Sequence, residues 1–119
     1  MTDQSVASLG KSLTYTAADL LRRRWTTEID GKTRRLKIQR QWFGLKPKTI
    51  VDCSLDACIA VGTIEYQNDG HASYGVYVDL ENGRRHPIPH GDHSLEAAAR
   101  VAEEVSATTG LPRLDITHP

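Results

Sequence analysis

From Trp25 onward the chain alternates apolar and polar positions in short runs broken by turn residues, and it changes period once, near Ser94. A period of two marks half-buried strands, and a period near 3.6 marks an amphipathic helix. In residues 32–43, Leu36 and Ile38 fall on one face while Arg35, Lys37, Gln39 and Gln41 fall on the other. Residues 49–55 repeat the pattern, with Val51, Cys53 and Leu55 inward and Asp52 and Ser54 outward. Residues 58–66 are apolar on both faces, which suits a strand covered on two sides. Gly62 within that run marks a bulge or a close backbone approach. Tyr74, Val76, Val78 and Leu80 then alternate again.

Turn chemistry divides these runs. Asp30-Gly31 and Asn82-Gly83 read as type I′ hairpin turns, in which both central residues need positive φ. Gly44 and Pro47 end the run at Trp42-Phe43, residues 67–73 read as a long polar loop, and Pro87 and Pro89 confine the last short strand to a sheet edge. Ahead of Trp25, residues 1–12 show no periodicity and read as a loose tail. Residues 13–24 read as a short helix or turn capped by Thr16; six strands are counted beyond it, so either Leu13–Tyr15 supplies a seventh or the barrel is incomplete. At the other end Ser94 caps a helix with Leu95, Ala98, Val101, Ala102 and Val105 on one face and Glu96, Arg100, Glu103 and Glu104 on the other. Gly110 stops it and Pro112 prevents its resumption. The order predicts an α+β domain over residues 13–112: a bent antiparallel sheet or partial barrel of six to seven strands with one C-terminal helix packed on it. Residues 113–119 are left as a C-terminal tail.

Composition narrows the class. At 119 residues the chain can bury one core, and 39% apolar with 25% charged residues is ordinary for a globular protein. No window is apolar enough to span a membrane, and the start lacks the layout of a signal peptide, so a cytoplasmic location is expected. Cys53 and Cys58 read as small apolar residues rather than as a disulfide or metal pair. The zero net charge hides a division: residues 1–48 carry eleven basic and four acidic residues, net +7, and residues 49–119 carry four and eleven, net −7. Such a split either makes a basic face for an anionic partner or cancels between neighbouring strands.

The string TTEIDGKTRRLKIQRQWFG, a strand near IVDCSLDACIAV, then YGVYVDLENGRRHPIP and a terminal helix ending at TGLP resembles the pleckstrin-homology-like domains of uncharacterised bacterial proteins. The resemblance spans roughly residues 24–112 and lies in element order and turn placement. It implies a bent sheet of about seven strands capped by the C-terminal helix. In lipid-binding members, basic residues on the first two strands and their connecting loop hold an inositol phosphate. The hairpin matched to that site carries Lys32, Arg34, Arg35 and Lys37, with Arg24 before it, which makes these five the candidate anionic-ligand residues.

A second constellation is His86, His90 and His93, joined by Asp92, and imidazoles with a carboxylate can hold zinc, nickel or copper. The spacing matches no known site, and Pro87 and Pro89 keep His86 and His90 about 13 Å apart in a straight segment. No nucleophile elbow, phosphate-cradling glycine loop or activated cysteine is present in the sequence, so no enzyme and no cofactor are expected. Trp25, Trp42, Phe43 and Tyr66 could stack on bases, but aromatics beside apolar strand neighbours are expected in the core, and a pI near 7.0 argues against nucleic acid. The expectation is a non-enzymatic module with a protein partner. The alternatives are anionic lipid at the basic hairpin and a metal at the three histidines. Strand addition at an open edge would make a homodimer.

Overall fold

Where a short helix or turn is expected, the chain forms a strand, β1, over Ser12–Ala18. Leu13, Tyr15 and Ala17 turn inward while Ser12, Thr14, Thr16 and Ala18 are exposed, so the two-residue period and β-branched threonines outweigh the weak Thr16 cap. This strand brings the count to seven. The computed structural model describes residues 11–19 and 21–117. Most of the expected N-terminal tail, residues 1–10, lies outside the described residues, and Lys11 is tied down by a hydrogen bond from the Gly31 N–H to its carbonyl at 2.8 Å.

β1 is followed by β2 (Arg24–Asp30), β3 (Arg35–Gln41) and β4 (Lys48–Ser54), which make an antiparallel sheet in the order β1-β2-β3-β4. One 3-10 turn over Leu55–Ala57 leads into β5 (Cys58–Asn68), β6 (His71–Leu80) and β7 (Arg85–Ile88), a second antiparallel sheet in the order β5-β6-β7. Helix α1 (Leu95–Thr109) closes the fold. The architecture is α+β, with two sheets of four and three strands that do not close into a barrel and one C-terminal helix.

The hairpins differ from expectation in where type I′ geometry falls. It occurs at Asp69-Gly70, with φ of +50° and +81°, joining β5 and β6 within the segment expected to be a long loop. The flanking residues are polar because this ribbon tip is solvated, not because the chain is irregular there. At Asp30-Gly31 the turn is longer: four residues separate the strands and Arg34, at φ +57°, takes the left-handed position. At Asn82-Gly83 only the glycine is left-handed, at φ +87°, and the Leu80 N–H donates to the Arg84 carbonyl around a three-residue loop.

Ile29, Leu36, Ile38 and Val51 from the first sheet, Val61, Val76, Val78 and Ile88 from the second, and Ala98, Val101, Ala102 and Val105 from α1 form one buried cluster. Ser94 caps α1 by accepting from the Ala97 N–H, and Gly110, at φ +80°, ends it as expected. Leu95 is a correction, since it stands exposed and the packed face is made of alanine, valine and threonine, which lets the helix axis approach the sheets closely. Both cysteines are free; Cys58 is buried and its thiol is pushed up to about 12 by burial and by neighbouring Cys53. The residues after Pro112, expected as a tail, run parallel to β5. Val61 bonds both the Pro112 carbonyl and the Leu114 N–H, and Thr117 bonds Thr63 and Glu65, all within 3.0 Å.

Candidate functional site

Of the five basic residues proposed at the hairpin, Arg34 and Arg35 are ion-paired, whereas Arg24, Lys32 and Lys37 have no ion pair among the described residues. Arg24 begins β2 while Lys32 and Arg34 lie beyond its far end, about 20 Å away along seven residues of strand. Arg34 closes the turn in the left-handed region and its guanidinium sits 3.1 Å from Asp56. Arg35 pairs with Asp52, and Lys37 lies in register between Glu28 on β2 and Asp52 on β4. Lys32 adjoins Asp30, whose carboxylate accepts from the Thr33 and Lys32 N–H groups and is held below its ordinary pKa by them. At Arg34 and Arg35 the two halves of the charge split meet as ion pairs with Asp56 and Asp52.

The opposite end of the same sheet is different. The β1–β2 loop carries Arg22 and Arg23, with Arg24 opening β2, and the β3–β4 loop carries Trp42, Phe43, Gly44, Leu45, Lys46 and Pro47, with Lys48 opening β4. Antiparallel order sets both loops side by side, with Arg24 paired to Gln41. Asp19 organises the first loop. Its carboxylate accepts from the N–H groups of Leu21 and Arg23, each at 3.0 Å, from the Arg23 guanidinium, and from the Trp25 indole at 3.0 Å. Desolvation pushes Asp19 up, but the Trp25, Arg23 and Leu21 hydrogen bonds outweigh it and hold the carboxyl at about 2. Arg23 then bridges the loops, its guanidinium 5.6 Å from the Trp25 ring centre and 5.2 Å from that of Trp42.

In the second loop the Leu45 N–H donates to the Trp42 carbonyl at 3.0 Å and Gly44 sits at φ +78°, the geometry of a turn that needs glycine at its third position. The Gln41 side chain holds the Leu45 carbonyl at 2.9 Å. Phe43 is thereby presented at the tip, 94% exposed, with Leu21, Trp42 and Leu45 also exposed around it. Trp42, Phe43 and Tyr66, expected in the core, are surface residues. The strand pattern ends at Gln41, so nothing covers the two aromatics that follow it.

Cations crowd this apolar tip. Arg22, Arg24, Arg40, Lys46 and Lys48 have no ion pair among the described residues, and Asp19 is the one acid in residues 19–24 and 40–48. Arg40 and Lys48 face each other directly across β3 and β4, a like-charge pairing that costs stability. The Arg40 Nε is buried without a hydrogen-bond partner, its guanidinium lying 5.7 Å from the Trp25 ring centre. No protein family, curated protein or solved structure matches the chain.

The histidines do not form a metal centre. His90 and His93 approach, with ring centres 5.7 Å apart, while His86 stays on β7 beside Val78. Among the described residues no three His, Cys, Asp or Glu side chains converge on a point where an ion could sit. The Asp92 carboxylate is taken up by the Ser94 N–H at 2.9 Å, before the helix cap. His90 is buried, which the sequence did not signal, because a histidine between proline and glycine reads as a surface turn.

Proposed function

We propose that the protein is a non-enzymatic binding module that docks on anionic membrane surfaces through the loop end of its four-stranded sheet. Phe43 carries the reading: a 94% exposed aromatic on a turn, sharing a hollow with Arg22, Arg24 and Trp42 and followed along the chain by Leu45, Lys46 and Lys48, none of the four basic residues ion-paired among the described residues. An apolar tip that enters the interfacial layer while basic residues meet lipid phosphates is the arrangement of peripheral membrane proteins. Each basic residue near the surface adds about 1 kcal/mol on anionic lipid. Leu21 and Leu45 offer no face on which a base could stack, so the tip suits a lipid surface better than a single-stranded nucleic acid. No helix among the described residues is long and apolar enough to cross a membrane, so the contact proposed is interfacial.

The pleckstrin-homology-like resemblance supports the same end. Four strands, three strands and a C-terminal helix follow the element order that the family implies. With Ser12–Ala18 counted as the first strand, the first two strands and their loop carry Arg22, Arg23 and Arg24 rather than Lys32, Arg34, Arg35 and Lys37. We propose the fold as pleckstrin-homology-like on that ground, and with that strand count the resemblance places its anionic site at the β1–β2 loop.

Co-sedimentation with phosphatidylcholine vesicles, with and without phosphatidylserine, tests the reading at low and physiological salt. Wild type should bind only the anionic vesicles and less at higher salt. Phe43→Ser should weaken binding about tenfold or more, as expected for an aromatic side chain withdrawn from the interface. Arg22→Glu/Arg24→Glu should abolish it, and Arg34→Glu/Arg35→Glu should leave it near wild type. Binding lost only in the last variant would restore the β2–β3 hairpin as the site, and no binding to any vesicle would favour a protein partner.

A further inference from the structure

Trp25 borders two features of the molecule at once. The Arg23 guanidinium lies 5.6 Å from its ring centre and 5.2 Å from that of Trp42, the neighbour of exposed Phe43, so Trp25 adjoins the loop end of the four-stranded sheet. It also lines a groove of about 570 Å³ with Ile64, Tyr66, Tyr77, Pro87 and Pro89. A second hollow of about 400 Å³ shares Trp25, Pro89, His90 and His93 with that groove and extends it past Ala17, Ala18 and Asp19. The two make one elongated path. It reaches from the cross-strand pairs Ile64–Gly75 and Tyr77–Pro87 to the start of the β1–β2 loop, the loop that carries Arg22 and Arg23.

The walls are chiefly carbon, and the charges set into them are already compensated. Both carboxylate oxygens of Asp79 hold Arg85, at 2.7 and 3.1 Å, and its guanidinium lies over the Tyr77 ring. The Asp19 carboxylate accepts four hydrogen bonds, from the Leu21 and Arg23 N–H groups, the Arg23 guanidinium and the Trp25 indole. The ring nitrogens of His90 are closed off, so that residue offers the path ring carbon alone, and His93 is exposed to water. The space itself is kept open at Gly75. A Cβ there would meet Tyr66 at 3.5 Å and Ile64 at 3.6 Å, ordinary contact distances, so a larger side chain would fit by projecting into the groove. An ion or a peptide backbone entering such a path would give up its water for walls that return little, whereas an aliphatic chain gains by leaving water. Volume and lining are those of a small-molecule site, and the elongated form suits an unbranched chain better than a compact ring system.

We infer that this path holds one acyl chain of a membrane lipid, which enters beside Trp25 from the surface on which the loop end docks. The source of the chain rests on the docking reading above. The affinity of the groove for an uncharged alkyl chain does not, and the two can be measured apart.

The first arm uses no membrane: 1-hexanol and 1-octanol are titrated into the ¹⁵N-labelled full chain, with the Trp25 indole N–H as reporter. Octanol should saturate with a Kd below about 1 mM and bind about fifteenfold more tightly than hexanol, the ratio for two further buried methylenes. Gly75→Leu should weaken octanol at least tenfold, with Pro87→Trp on the exposed edge strand as the second blocking variant should Gly75→Leu fail to fold. Phe43→Ser should bind octanol as wild type does. The second arm uses vesicles of phosphatidylserine and phosphatidylcholine brominated on its acyl chains, with Trp42→Phe leaving Trp25 as the one indole. Bromine should quench Trp25 in the bound protein, and Gly75→Leu should relieve that quenching per molecule bound. No saturation by octanol, octanol binding untouched by either blocking variant, or quenching that persists at full strength in Gly75→Leu would overturn the acyl site. Octanol binding as expected with no binding to any vesicle would overturn the docking reading and leave the acyl site standing.

Discussion

His90 carries its consequence into solution as a pH dependence. Burial, and after it the charge of His93, lowers its pKa below the ordinary value near 6.5, while the Asp92 main chain and carboxylate pull the other way. In the unfolded chain the imidazole titrates near 6.5. Above that pH both states are neutral and stability is unaffected. Below it the unfolded chain takes up the proton first, so stability falls with falling pH until the folded pKa is passed. His93 and Asp92 act on the ring from its own segment, and Asp19 after β1, Tyr15 on β1, and Arg100 and Glu104 on α1 line the hollows that His90 also lines. The carboxylates with lowered pKa, Asp19, Asp30 and Asp92, contribute stability that is lost only at pH below about 4, so the windows separate. The urea midpoint should therefore drop from pH 7 to pH 5, and His90→Phe should flatten that slope. An unchanged slope in the variant would show that His90 is protonated as easily folded as unfolded.

Between elements, β6 approaches β5 closely at Gly62, where the Tyr77 ring lies over the glycine. A Cβ there would lie 2.5 Å from Cζ of Tyr77 and closer still to its hydroxyl. Tyr77 has no room to move: it is 2% exposed, its hydroxyl bonds Thr117 at 3.0 Å and Arg85 lies on its ring. Gly62→Ala should destabilise the fold by about 1–3 kcal/mol. The loss should shrink in a Tyr77→Leu background, a double-mutant cycle readable by urea denaturation. This is also where sequence reading performs well. A glycine in an otherwise apolar strand announces a close approach, Ser94 and Gly110 announce helix ends, and Leu36, Ile38, Val76 and Val78 announce inner faces, because each signal is local. What was hidden depended on distant partners. β1 was legible only as an alternative at Leu13–Tyr15, because its threonines need the pairing with β2 to favour a strand over a cap, and Asp69-Gly70 looked like part of a loop because its flanks are solvated. The pairing of the cations was hidden in the same way: residues 32–37 are as basic as residues 22–24, and only the contacts of Arg35 with Asp52 and of Arg34 with Asp56 distinguish the paired arginines from the unpaired ones.

For the molecule as a whole, the segment after Pro112 decides which sheet edges stay open. β5 would present a free edge at Val61, Thr63 and Glu65, but the chain returns in parallel and takes up those main-chain groups, while Arg113 reaches Glu103 on α1 at 2.8 Å. Thr117 also holds the Tyr77 hydroxyl, so one short segment covers the edge and helps fix the outer face of the three-stranded sheet. An uncovered edge is a template for pairing with another chain. Deleting residues 113–119 removes the main-chain bonds of Leu114 and Thr117 and the Arg113 ion pair, which at about 1 kcal/mol per hydrogen bond amounts to a loss of about 2–4 kcal/mol. The truncated chain should melt lower and, by light scattering after size exclusion, self-associate at concentrations where the full chain does not. Restoring residues 113–117 alone should reverse both effects. A truncated chain with an unchanged melting temperature and unchanged mass would mean that the edge is protected by something other than this segment, and β1 and β4 would then be the edges to examine for strand addition.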